Sequence, residues 1–334
     1  MKKHARPRLR RALVVGAVLT VVSRAGITQS ARGVYRIGTV GVGFSTTAMA
    51  GPQPQSPSAQ ALLRGMRELG YRYGEHFVTE PRSAEGQVER FPALAAELVG
   101  LRVDMIVAAG PALASLKLAT STIPIVMAGA EDPVGLGVVK SLSKPETNFT
   151  GLSNQAVEAT VKKLEMLKEI VPGKAPVAVL WDPESHLSWK AVESAARQHG
   201  WKLLSFEVRS LAEIEAAIKS AAGARAGGLL PAGGLVFRHA RRIAELAAEN
   251  RLPAFYTNPV QVEDSGLISY GADLNVIWHR AAAFVDKILK GAKPGDLAVE
   301  QPTKFNLTIN LKTAKVLGLK IPQSLLARAD EVIQ

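Results

Sequence analysis

The stretch DMIVAAGPALASLKLATSTIPIVMA, residues 104–128, decides the fold. Asp104–Ala108 is a short, nearly continuous apolar run, the pattern of a strand covered on both faces. Gly110-Pro111 interrupts it, and Ala112–Ala119 then carries apolar residues at helical spacing. Ile123–Ala128 (IPIVMA) is a second buried-type strand. Strand, helix and strand at this spacing form a βαβ unit, and such units build a parallel sheet.

The same alternation extends in both directions. Upstream lie a strand at Tyr35–Val42, a helix at Ser58–Leu69, a weaker strand at His76–Glu80 and a helix at Gln87–Val99. Pro145–Ser153 (PETNFTGLS) reads as a break rich in turn formers. Beyond it the pattern restarts with a helix at Val157–Val171 and a strand at Val177–Trp181. Ser188–His199, Lys202–Val208, Leu211–Ala222, Gly228–Leu230, Arg238–Asn250, Ala254–Tyr256 and Leu267–Tyr270 continue it. Val276–Leu289 is a last long helix, and Phe305–Asn310 a late strand followed by short helices. The economical reading is two α/β halves joined at 145–153.

The first thirty residues carry a different message. Lys2, Lys3, Arg6, Arg8, Arg10 and Arg11 precede the apolar run Ala12–Ser23, with small residues at Ser23 and Ala25. A basic segment, a short apolar segment and a small-residue cleavage site make an export signal, expected over residues 1–25. Arg10-Arg11 is a weak match to a twin-arginine signal. The formal charge of the 334-residue chain is +12, but residues 1–25 hold seven of its 41 basic and none of its 29 acidic residues, which leaves +5. That balance does not point to nucleic acid. No cysteine is present, which removes thiol nucleophiles, cysteine metal sites and a lipidated cysteine after the signal.

Catalytic motifs are absent: there is no phosphate-binding P-loop, no nucleophile elbow and no zinc-protease helix. The six histidines include no pair at helical metal spacing. No cofactor and no metal are expected. Gly41 and Gly43 follow the first strand, yet Thr46 stands where a dinucleotide loop needs its third glycine.

In open α/β sheets ligands bind at the carboxyl ends of the strands. Those ends hold Phe44, Ser45, Gly110, Asp132, Trp181, Ala232, Tyr256, Asn258 and Asp273. Aromatic, small and carboxylate residues at such loops suit a small solute with a flat apolar part and a polar head. Asp132 or Asp273 is expected to hold the head group, with Trp181, Tyr256 or Phe44 beside the apolar part. Each aspartate has a structural alternative: Asp132 before Pro133 can cap a helix, and Asp273 can cap the helix at Val276.

Several long stretches resemble a known family. ALLRGMRELGY (61–71), ERFPALAAELVGLRVDMIVAAG (89–110), ATSTIPIVMAGAEDPVGLGVVKSL (119–142) and KLEMLKEIVPG (163–173) are similar to ABC-transporter substrate-binding proteins of the tryptophan/tyrosine-binding type. RIAELAAENRLPAFY (242–256), SGLISYGADL (265–274) and EQPTKFNLTINLKTAKVLGL (300–319) continue the likeness. The chain departs where it has EPRSAEG (80–86) for the family's EYRWAEG and PETNFTG (145–151) for PGGNVTG.

The resemblance implies a type I periplasmic-binding-protein fold. That is two Rossmann-like α/β lobes with parallel sheets, crossed three times by the chain, with a solute in the cleft between them. The crossings are expected near 145–154, 270–275 and 296–302. One lobe then holds 34–152 plus 272–298, the other 153–271 plus 299–334. The function implied is periplasmic capture of a small solute, an amino acid among the candidates, for a membrane permease of an ABC importer by hinge closure. A ligand-sensing module for a signalling partner is the alternative, and an α/β enzyme a weaker one.

Overall fold

A computed structural model describes residues 33–334 apart from 172 and 265; the expected export signal lies outside the described residues. In the first lobe, β1 (Tyr35–Gly41) leads to α1 (Thr46–Met49), α2 (Pro57–Glu68), β2 (Phe77–Ser83), α3 (Phe91–Gly100), β3 (Met105–Ala108), α4 (Ala112–Ala119), β4 (Ile125–Ala130) and β5 (Phe149–Ser153). The sheet order is β2-β1-β3-β4-β5, parallel throughout. Alternation along the strands divides the core: Ile106 and Ala108 pack with Leu94, Leu98 and Leu113 on one face, Met105 and Val107 with Leu62, Met66 and Phe284 on the other.

The segment 145–153 is less of a break than its composition suggests. Its second half is β5, buried along its whole length at the edge of the first sheet. Its Pro, Thr and Asn form the turn that feeds the strand, and the Thr147 hydroxyl donates to the Val138 carbonyl.

The chain then enters α5 (Ala156–Ile170), β6 (Val177–Trp181), α6 (His186–His199), β7 (Leu203–Glu207), α7 (Leu211–Gly223), β8 (Gly228–Ala232), α8 (Gly234–Arg238), α9 (Ala240–Glu249), β9 (Phe255–Tyr256), α10 (Val260–Asp264) and β10 (Ile268–Gly271). After α11 (Leu274–Leu289) come β11 (Asn306–Asn310), α12 (Leu311–Val316), α13 (Gln323–Leu326) and β12 (Glu331–Ile333). The second sheet runs β7-β6-β8, and a Leu229–Ala254 bridge continues it into β9-β10-β11-β12. It is parallel except at β10–β11, which pair antiparallel.

Helix α11 returns to the first lobe, packed on α2 and on β4. Gly65 makes this possible. A Cβ built there would lie 2.8 Å from the Ala282 Cβ, so a larger side chain would force the helices apart. Tyr71 Oη donates to Asp286 Oδ1 at 2.9 Å beside the same contact. Val299 and Glu300 then run beside β5: the Glu300 N–H donates to Gly151 O and the Ser153 N–H to Glu300 O, both at 2.9 Å. Three passes therefore connect the lobes, after β5, after β10 and after Glu300.

Candidate functional site

The carboxyl ends of both sheets face a cavity of about 200 Å³. The first lobe lines it with Val42, with Ala109-Gly110-Pro111 after β3, with Gly129 and Glu131 at the end of β4, and with Leu274 and Trp278 of α11. The second lobe contributes Pro231-Ala232-Gly233 after β8, Tyr256-Thr257 at β9, Val236 and Ile243. One face of α5 completes the wall: Ala156, Ala159, Thr160 and Lys163 lie three, four and seven positions along from the first, a single helical stripe.

Side chains of the two lobes meet around this space. Arg238 of the second lobe runs over Gly86 of the first, its Cδ 3.3 Å from where a Gly86 Cβ would stand. Leu187 sits similarly against Gly135, and Pro111 against Gly234. These contacts join the two lobes beside the cavity. Asp182 stiffens its second-lobe rim: it is buried, and its carboxylate accepts from the Ser185 N–H at 3.1 Å and the Leu235 N–H at 2.8 Å. Gly233 has φ +125 and no room for a Cβ beside that carboxylate.

Two charged groups stand inside. Lys163 is 2 % exposed, and its Nζ donates to the Thr257 hydroxyl at 2.8 Å. Burial lowers its pKa to about 8, with the nearby Glu131 acting the other way. Burial raises Glu131 to about 7; Asp182 adds to the rise and Lys163 opposes it. Among the described residues, the Glu131 carboxylate makes no hydrogen bond and no ion pair within 4 Å. Burial also pushes the Tyr256 phenol up, so it stays neutral in the wall.

Of the residues expected from sequence, Gly110, Ala232 and Tyr256 line the cavity. The others lie outside its lining. Phe44 is 49 % exposed, and Ser45 caps α1 by accepting from the Ala48 N–H. Asp132 Oδ1 accepts from the Gly135 N–H at 2.8 Å; it caps a turn, since no helix follows. Trp181 stacks on Trp189 with ring centroids 5.5 Å apart and donates to Ser205 Oγ. The Asn258 N–H donates to Gln261 Oε1. Asp273 caps α11, accepting from the Asn275 and Val276 N–H groups. In both aspartates Oδ1 holds backbone N–H groups, which is the structural alternative that the sequence offers for each.

Sequence reasoning places Glu131 on the same cleft-facing loop as Asp132 but gives the head-group role to Asp132, and it does not single out Lys163. A signal for each existed. Once Asp132 is assigned to its turn, Glu131 is the loop's unexplained carboxylate. Lys163 ends a stripe of small residues, whereas its neighbour Lys162 pairs with Glu165 at the surface.

Residues 55–333 match the family described as ABC transporter substrate binding protein. The chain belongs to this family. A tyrosine-binding protein of Clostridioides difficile (strain R20291) is 24% identical over 265 residues, 78% of this chain and 76% of the relative. A solved conserved domain protein from Vibrio cholerae is 27% identical with TM-score 0.80, over 90% of this chain and 99% of that one. A Streptococcus pneumonia ABC domain in complex with L-Trp is 24% identical with TM-score 0.78, over 90% and 100%. The shared fold is the two-lobe type I periplasmic-binding architecture, and the chain is an ABC transporter substrate-binding protein that holds a solute.

Proposed function

We propose that this chain is exported and carries an aromatic amino acid in the periplasm to the permease of an ABC importer, acting by binding and not by catalysis. The observation behind this reading is the cleft between the two lobes, walled mainly by apolar groups. Its size favours one small solute over an oligomer: a cavity of about 150 Å³ accommodates a benzene ring, and this one is about 200 Å³. The family relatives described as tyrosine-binding and as complexed with L-Trp favour an aromatic side chain.

The lobes in this reading follow the expected division, 34–152 plus 272–298 and 153–271 plus 299–334, moved by one or two residues so that Ser153, Val299 and Glu300 stay with the first sheet, and the three passes between them act as the hinge. Gly110, Ala232 and Tyr256 form walls around the solute. The basic and apolar start of the chain, Lys2 to Ser23, supports export by a cleaved signal. Among the described residues no helix is long and apolar enough to cross a membrane.

A thermal-shift screen of the mature chain against the twenty amino acids tests the reading. A ligand at 100 times its dissociation constant stabilises by about 2.7 kcal/mol, so tyrosine, tryptophan or phenylalanine should raise the melting temperature clearly. Shifts confined to non-aromatic amino acids would refute the aromatic choice. N-terminal sequencing of exported protein should begin after residue 25 or close to it.

A further inference from the structure

On the reading of the solute as an amino acid, we infer that Glu131 and Lys163 select it as a zwitterion: the Glu131 carboxylate holds the solute's ammonium and the Lys163 amine its carboxylate. The two residues lie on opposite lobes. Glu131 follows β4 of the first sheet, and Lys163 is on α5, which packs against α6, β8 and β10 of the second lobe. Both line the cavity, yet they are not paired with each other within 4 Å. A carboxylate only accepts, and Glu131 has no donor on it among the described residues. An ammonium has three donors, and Lys163 gives one to Thr257. The cleft therefore presents one unused acceptor group and one partly used donor group of opposite charge.

A zwitterion placed between them satisfies both ends and leaves the net charge of the cleft unchanged. Charge-assisted hydrogen bonds of this kind are the strong ones. A solute lacking one end leaves a charge in the cleft without its partner, which is how a site built on hydrogen bonds rejects an analogue. The perturbed ionisation of both groups agrees with this arrangement. Glu131 is held near neutrality by burial, and an arriving ammonium favours its ionised form. Because the two groups belong to different lobes, the zwitterion touches both at once only when the lobes are together. That gives it differential affinity for the closed form.

The test is calorimetric titration of the mature wild type, Glu131→Gln and Lys163→Met with L-tryptophan, tryptamine, indole-3-propionate and indole. Wild type should bind L-tryptophan at least about 30-fold more tightly than either singly charged analogue, about 2 kcal/mol at roughly 1.4 kcal/mol per tenfold. Glu131→Gln should weaken L-tryptophan and tryptamine by a similar factor and leave indole-3-propionate unchanged. Lys163→Met should weaken L-tryptophan and indole-3-propionate and leave tryptamine unchanged. Both substitutions are close in shape, and far-ultraviolet circular dichroism checks folding; the Glu131 arm stands alone if the Lys163 variant does not fold. L-tryptophan bound equally by wild type and Glu131→Gln overturns the inference while the proposed function stands. If wild type prefers a non-aromatic amino acid, the aromatic reading fails. The same variants against that amino acid and its decarboxylated and deaminated analogues then decide the inference. No binding of any amino acid overturns both.

Discussion

The two walls of the cleft differ in chemistry. The first lobe offers backbone turns, the aliphatic and indole faces of Leu274 and Trp278, and a single carboxylate, Glu131. The second offers hydroxyls of Thr160 and Thr257, the Gln261 amide and the Lys163 amine. Neither wall by itself satisfies a solute with two charged ends. The difference teaches that recognition here is split across the hinge, so that closure and head-group binding are one event.

The comparison breaks most readily where the first wall is anchored. Trp278 and Leu274 reach the cleft because α11 lies against α2 over Gly65. Gly65→Val should destabilise the protein by about 1–3 kcal/mol through overpacking, seen as a lower urea midpoint. An unchanged midpoint would mean that the helices separate without cost. On the second wall, Thr257→Val removes the hydroxyl that accepts from the buried Lys163. The expected loss is about 1–2 kcal/mol of stability. Equal stability of Thr257→Val and wild type would show that the ammonium finds another partner.

Acid should test the contribution of the first wall directly. Glu131 has its pKa raised to about 7, so it is mostly ionised at pH 8 and mostly protonated at pH 6. Affinity for tryptamine, which has an ammonium and no carboxylate, should fall about tenfold over that interval, as a group with pKa near 7 titrates, while for a zwitterion the charging of Lys163, whose pKa is about 8, offsets part of the fall. The groups acting on Glu131 are Lys163 of α5 and Asp182 and Glu184 at the second-lobe rim. The stability of the ligand-free protein has the opposite slope. The folded state binds more protons than the unfolded one between about pH 4.5 and 7, so stability declines as pH rises through that window. Tryptamine affinity that does not change between pH 8 and 6 would remove Glu131 from the head-group site.

The smallest effects belong to the aspartates that cap. Asp132→Ala and Asp273→Ala should each cost about 1 kcal/mol of stability and leave solute affinity as it was. Calorimetry on both variants sharpens the contrast between carboxylates that hold backbone and the one that faces the cleft. A drop in affinity with unchanged melting temperature would reverse the assignment.

Spacing along the chain carries the alternation of strands and helices, the parallel pairing of every strand pair but β10–β11, and the stretches whose resemblance points to the family. Those features repeat locally. Apolar runs such as Met105–Ala108 and helical stripes such as Leu62–Met66 declare their burial through spacing alone. The sequence also placed the site at the carboxyl ends of the strands, and Gly110, Ala232 and Tyr256 do line the cavity. Tertiary structure decided which polar groups face that cavity. Asp132 and Glu131 are adjacent, as are Lys162 and Lys163, and composition cannot tell the members of either pair apart. Asp132 turns to the Gly135 N–H, and among the described residues Glu131 has no hydrogen-bond partner. Lys162 finds Glu165 at the surface, and one residue further along the helix, about 100° around its axis, Lys163 lands in the interior beside Thr257. The Thr257 hydroxyl, 94 positions away in sequence, and a second sheet facing the first are long-range facts. They exist only once the chain has crossed between the lobes three times.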